Sequence, residues 1–219
     1  MWFWLLYIII VVPFSIIFPV KIYGKKNFNK KNKYVLVSNH QSNFEPVILD
    51  IKLKRKIRFI AKKELWKGKK KSFLFDTALG CIAVDRQKGM TMDSTKKVLN
   101  LLNNNQTVGI FPEGTRHNDG VSEDMSVKNG ACMFALKTKT PILPCYIVKK
   151  QKAFSKNILL VGEPFELSEF YGKKIDKEVL NGCSQVLVEK LNNLKQNYEK
   201  MLEEKAIIKQ LKKEKKYKK

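Results

Sequence analysis

His40 and Glu45 stand five residues apart, and the carboxylate comes directly before Pro46. A residue preceding proline is pushed out of helical geometry, so Glu45 belongs at a helix entrance and the chain must turn between the two side chains. In one continuous helix, five residues advance about 140° beyond a full turn and would keep them apart. Across a turn, the carboxylate can reach back to one ring nitrogen and hold the imidazole in one tautomer. The other nitrogen can then take a proton from a hydroxyl. General-base help of this kind is worth roughly 10²–10⁴ in rate. His117 is the only other imidazole in the chain.

A second group of reactive side chains follows another apolar run: Phe111-Pro112-Glu113-Gly114-Thr115-Arg116. Proline second and glycine fourth suit a tight turn. A guanidinium just beyond it suits two-pronged recognition of a phosphate. Arg86 ends a further apolar run in the same way and is a second phosphate candidate. Lys128 and Gly130 open a predicted helix whose first amides also suit an anion. Pro141-Ile142-Leu143-Pro144 reads as the rigid entry to a strand. Each motif alone is also compatible with a purely structural part: a histidine bonded within its loop, or a surface turn with an exposed arginine.

The elements that must position these groups alternate. Residues 34–38, 57–61, 81–84, 107–111, 142–148 and 158–161 read as strands. Residues 46–53, 72–79, 93–102 and 126–137 read as helices, and a long charged helical pattern runs over 173–211. Alternation of this kind predicts a single α/β domain with a mostly parallel or mixed central sheet flanked by helices. Sites in such sheets gather outside the carboxyl ends of strands. Both motifs fall there.

Forty-three Lys and Arg against twenty Asp and Glu give a net charge of +23. Residues 21–71 alone carry +14, and residues 205–219 carry +7. Such an excess calls for an anionic partner, and nucleic acid, phosphorylated ligands and an acidic membrane all qualify. Residues 1–20 hold no charged side chain and are followed by Lys21, Lys25 and Lys26. Twenty helical residues span roughly the 30 Å of a hydrocarbon core. Residues 1–22 are therefore expected to be a membrane anchor, either a kinked span interrupted by Pro13 and Pro19 or a shallow re-entrant segment. The basic end and the remaining chain would lie on the cytoplasmic face of the cell membrane. A cleaved signal peptide fits less well, because a basic leader and a small-residue cleavage site are lacking. The expected division is anchor 1–22, catalytic domain 23–204 and basic tail 205–219. Cys81, Cys132, Cys145 and Cys183 are scattered without a Cys-x-x-Cys pair, which argues against a zinc site or a disulfide framework.

The order of the motifs resembles the glycerolipid acyltransferases. Asn39-His40-Gln41-Ser42 with Glu45, then Gly80 to Arg86, then Phe111 to Arg116, then Pro141-Ile142-Leu143-Pro144 match over residues 34–146. Within that superfamily the resemblance is to the 1-acylglycerol-3-phosphate (lysophosphatidate) acyltransferases. It implies a membrane enzyme that moves an acyl group from acyl-CoA or acyl carrier protein to the sn-2 hydroxyl of lysophosphatidate, with no metal and no cofactor. It also implies His40 as base with Glu45 as its partner, and Arg86 assisting the acceptor. Glu113, Gly114, Thr115 and Arg116 would shape the phosphate site, and Pro144 would lie on the acyl-donor side. Where this chain has Glu45, the family usually has aspartate. A sibling activity on glycerol-3-phosphate or another lyso-lipid is the nearest alternative. A tethered basic nucleic-acid-binding protein, or acyl transfer through a cysteine, is more remote.

Overall fold

A computed structural model describes residues 12–42, 44–62, 80–84, 90–112 and 125–217. Seven strands form one sheet: β1 (Val20–Tyr23), β2 (Val35–Ser38), β3 (Ile57–Lys62), β4 (Ile82–Val84), β5 (Thr107–Ile110), β6 (Ile142–Ile147) and β7 (Asn157–Val161). Their order is β1-β7-β6-β2-β5-β3-β4. Strands β2 to β6 are parallel; β7 turns back antiparallel to β6, and β1 runs parallel to β7. The sheet is therefore mixed. Helices α1 (Glu45–Leu53), α2 (Met92–Asn103) and α3 (Met125–Thr138) lie between consecutive parallel strands, and α4 (Lys177–Tyr217) ends the chain.

Strands β2, β5 and β6 are buried along their whole length, as expected for strands covered on both faces. Alternation along β2 divides the core. Val35 and Val37 face a cluster with Val98 and Leu102 of α2, Phe134 of α3 and Leu187 and Leu191 of α4. Leu36 faces the other side, with Leu49 and Leu53 of α1, Phe59 of β3 and Leu143 of β6. Three helices thus cover one face, while α1 and the Phe28–Tyr34 segment cover the other. Burial of each large aliphatic side chain contributes about 1.5–3 kcal/mol.

Local signals set the helix ends. Thr91 caps α2 by accepting from Ser94 N–H at 3.2 Å, and the Ser94 hydroxyl donates to Ala83 O of β4 at 2.9 Å. Pro46 sits in the first turn of α1, where its missing N–H costs nothing. The expected helix at 72–79 lies outside the described residues.

The apolar N-terminal stretch does not continue as helix to its basic end: the helical turns at 12–17 stop before Pro19, and Val20–Tyr23 joins the sheet edge beside β7. Among the described residues no helix is long and apolar enough to cross a membrane; residues 1–11 of the expected anchor lie outside them. The basic segment from 205 continues α4, which is helical through Tyr217.

Candidate active site

The register of β2 on β5 pairs Val37 with Ile110, so the residues after each strand emerge side by side at the carboxyl end of the sheet. Asn39-His40 leaves β2 there, and Phe111-Pro112 leaves β5. The first residues of the two motifs converge because parallel neighbours end on the same edge.

Asn39 ties the first loop down. Its side chain is fully buried; Nδ2 donates to Ile147 O at 2.9 Å, and Oδ1 accepts from Ile147 N–H at 2.7 Å. This two-point clamp binds the end of β2 to the end of β6. Only a side-chain amide offers a donor and an acceptor side by side in this way.

The chain then turns so that Glu45, the first residue of α1, points back into it. Its carboxylate has no solvent exposure. Oε2 meets His40 Nδ1 at 2.6 Å and Gln41 N–H at 3.0 Å; Oε1 accepts from Gln41 N–H at 2.8 Å and Ser42 N–H at 2.9 Å. A buried carboxylate is tolerable only when donors replace its lost water, and this loop supplies them. The position at a helix N-terminus adds a favourable field. With Nδ1–H given to the carboxylate, the imidazole carries its lone pair on Nε2, the nitrogen a base would use. The turn and the histidine–carboxylate contact read from the sequence are both present.

Sequence reasoning gave no role to the ring stack beneath the imidazole. Phe111 lies under His40 with centroids 4.3 Å apart and planes 25° from parallel; Phe59 of β3 stacks on Phe111 at 5.3 Å and 11°. Gly109 makes room for it: a Cβ there would stand 2.3 Å from Phe59 Cε1. The available signal was an aromatic at the end of one strand, two residues beyond a glycine, in a sheet whose parallel neighbour ends in histidine. His40 is thus held by a charge-assisted bond at one edge and an aromatic wall on one face. Its side chain is 18% exposed, enough to meet a substrate.

Pro144 is not among the residues gathered at His40. It stands in β6 opposite Val37, and its carbonyl accepts from Gly162 N–H at 2.8 Å. Arg86, Glu113, Gly114, Thr115 and Arg116 lie outside the described residues, as does His117; Lys128 falls in α3, with its side chain outside the description. The four cysteines are buried thiols outside any disulfide. Burial pushes the Cys132 thiol up to about 12 and the Cys183 thiol to about 11, and it raises Cys145 as well. A thiol so disfavoured as thiolate is a poor nucleophile.

Comparison with known proteins agrees with this arrangement. The acyltransferase family profile matches residues 19–148, from just before β1 to just after β6. A 1-acyl-sn-glycerol-3-phosphate acyltransferase of Bacillus subtilis is 30% identical over 189 residues, covering 83% of this chain and 91% of that one. The alpha enzyme of the same name from Mus musculus is 33% identical over 140 residues, covering 63% of this chain and 48% of its own length. The chain thus spans nearly all of the bacterial relative and about half of the mouse one. The crystal structure of a 1-acyl-sn-glycerophosphate (LPA) acyltransferase from Thermotoga maritima has the same fold. It superposes with a TM-score of 0.60 at 24% identity, over 82% of this chain and 72% of that one. The protein is an acyltransferase. It belongs to the acyltransferase family, with the 1-acyl-sn-glycerol-3-phosphate acyltransferases as its relatives.

Proposed function

We propose that this enzyme transfers a fatty acyl group from acyl-CoA or acyl carrier protein to the sn-2 hydroxyl of 1-acylglycerol-3-phosphate, giving phosphatidate, at the cytoplasmic face of the cell membrane. The observation that carries the chemistry is the 2.6 Å contact between His40 Nδ1 and the buried Glu45 carboxylate. Nε2 takes the hydroxyl proton while that oxygen attacks the thioester carbonyl carbon. The C–S bond breaks as the tetrahedral intermediate collapses, and the departing sulfur receives the proton from the imidazolium. The new ester and the free thiol are the products. Arg116, Arg86 and Lys128 meet the acceptor's phosphate, Glu113, Gly114 and Thr115 shape the site around it, and Pro144 lies toward the acyl donor. Orienting both substrates supplies much of the remaining acceleration. The apolar N-terminal segment keeps the enzyme where its lipid substrate is.

The reading has support from three sides. The relatives are named as acyltransferases of 1-acyl-sn-glycerol-3-phosphate, a histidine–carboxylate pair is the minimum a hydroxyl nucleophile needs, and the chain's +23 charge favours anionic lipid. The test is an acceptor panel with one labelled acyl-CoA: lysophosphatidate, glycerol-3-phosphate and other lyso-lipids. Lysophosphatidate should be acylated fastest. Preference for glycerol-3-phosphate or a neutral lyso-lipid would overturn the assigned acceptor. His40→Ala should lose at least about 10²-fold in kcat; turnover near wild type would remove His40 as the base.

A further inference from the structure

The loop between β6 and β7, residues 148–156, is a hairpin at the same end of the sheet as His40. β6 runs parallel to β2, with Ser38 opposite Cys145, so the hairpin leaves the sheet where the His40 loop does. β1 enters the sheet from that end too, because Val20 pairs with Asn157. Three chain segments therefore share one edge: the helical turns at 12–17, the His40 loop and the β6–β7 hairpin.

At the tip, Phe154 is 77% exposed. Its φ is +54°, the left-handed region, where a bulky side chain is an outlier and glycine or asparagine is at ease. The conformation is well braced. Asn157 accepts from Lys152 N–H and donates to Lys152 O, Ser155 O and Pro19 O, while Phe154 N–H donates to Ile17 O at 2.6 Å. The fold thus holds a strained, water-facing phenylalanine in place, which points to a use outside folding. Lys149, Lys150, Lys152 and Lys156 flank it along the loop, all exposed, with no acidic residue in the loop. Val12, Ile16 and Phe44 continue the apolar surface toward the His40 loop, at 50%, 65% and 46% exposure. Phe44 joins the segments by packing its ring, tilted, against Phe14 at 5.9 Å and Phe18 at 4.9 Å.

We propose that the β6–β7 hairpin is a membrane-docking element: Phe154 enters the headgroup layer of an anionic bilayer, its four lysines meet lipid phosphates, and the His40 end of the sheet is thereby set against the membrane. An aromatic ring within a cluster of lysines suits that layer, where the surface potential attracts cations and apolar rings leave water. The docking rests on the reading that the acceptor is a membrane lipid, and it concerns an element separate from the apolar N-terminus.

Full-length protein carrying an environment-sensitive fluorophore at Ser155→Cys reports on the loop directly, since the native cysteines are buried. The probes are vesicles of phosphatidylcholine with phosphatidylglycerol, with and without lipids brominated near the headgroup. A blue shift and quenching are expected, weaker on phosphatidylcholine alone and absent for a label at Asn104→Cys, at the opposite end of the sheet. Phe154→Asn in the labelled protein should lose the response while Tm stays level or rises, because asparagine suits the backbone there. Quenching at an Ile16→Cys label with none at residue 155 would mean attachment through the N-terminus alone and overturn the proposal. Quenching unchanged in Phe154→Asn would overturn it as well. Turnover is read separately, on short-chain lysophosphatidate dispersed as monomers. Phe154→Asn should keep it; its absence in the wild type would end the functional reading and leave a positive lipid contact standing.

Discussion

Glu45 has no solvent, so its carboxylate rests on the His40 ring and the amides of Gln41 and Ser42. Each donor matters, and so does the identity of the acceptor. In Glu45→Gln the amide must offer an N–H where Oε2 now faces His40 Nδ1. The ring would then accept at Nδ1 and carry its proton on Nε2, which removes the base. We expect kcat to fall by about 10²–10⁴ with little change in acceptor KM. Glu45→Asp keeps an acceptor and should retain at least about tenfold more activity than the glutamine variant. Steady-state kinetics beside a thermal melt check both, and a glutamine variant within about threefold of wild type would refute the tautomer argument. The glutamate where the family usually has aspartate was readable in the sequence as a longer reach. Its 2.6 Å contact and three amide bonds were not, because they depend on how tightly the loop closes.

The ring stack extends the argument to elements. Gly109 of β5 leaves the space that Phe59 of β3 fills, Phe59 supports Phe111, and Phe111 supports His40. In Gly109→Ala a new methyl would press on a buried ring in a packed layer. Overpacking should cost about 1–3 kcal/mol and tilt the stack, so activity at a temperature where the variant is folded should fall severalfold. Full activity in a destabilised variant would separate the stack from the base. At the far end of α1, Asp50 Oδ1 accepts from Ile57 N–H at 2.8 Å. Burial raises its carboxyl from 3.8 to about 7, against the opposing pull of that N–H, Lys56 and Arg58. Between about pH 4 and 7 the folded chain therefore holds a proton that the unfolded chain has lost. Stability falls as pH rises through that window and levels off above it. Asp50→Asn keeps the acceptor and removes the ionisation, so it should flatten the profile and raise Tm at pH 8, by the equivalent of about 1–4 kcal/mol; an unchanged slope would show that Asp50 does not titrate as argued. Most elements were legible beforehand because strands of apolar residues alternate with amphipathic helices. β1 was not: Val20-Lys21-Ile22-Tyr23 sits at the end of an apolar run that composition alone assigns to the anchor. Nor was the reversal at β7, since neither strand marks its direction in its residues.

Charge acts at the scale of the whole molecule. A net +23 on 219 residues repels itself, and the repulsion reaches farther as salt is lowered, from about 10 Å at 0.1 M to about 30 Å at 0.01 M. The C-terminal part of α4 concentrates that charge. Cys183, Leu187, Leu191 and Tyr198 are buried, whereas residues 202–209 are exposed, Ile207 and Ile208 by more than half. Lys205 still reaches the sheet, its ammonium 5.7 Å from the Tyr23 ring centroid. Ending the chain after Lys205 removes seven lysines with Glu214 and lowers the net charge to +17. Because residues 206–209, where the cut begins, are exposed, Tm near 0.15 M salt should stay within about 2 °C of the full chain. Raising sodium chloride from about 0.01 to 0.1 M should raise Tm in both proteins by screening, and by less in the shortened one. A larger salt response after truncation, or a fall in Tm with salt in the full chain, would mean that paired charges outweigh the repulsion. Lipid follows the same rule. A headgroup layer that neutralises this surface stabilises the fold as it binds, so phosphatidylglycerol vesicles should raise the Tm of the full chain above that of the shortened one, and added salt should shrink that margin.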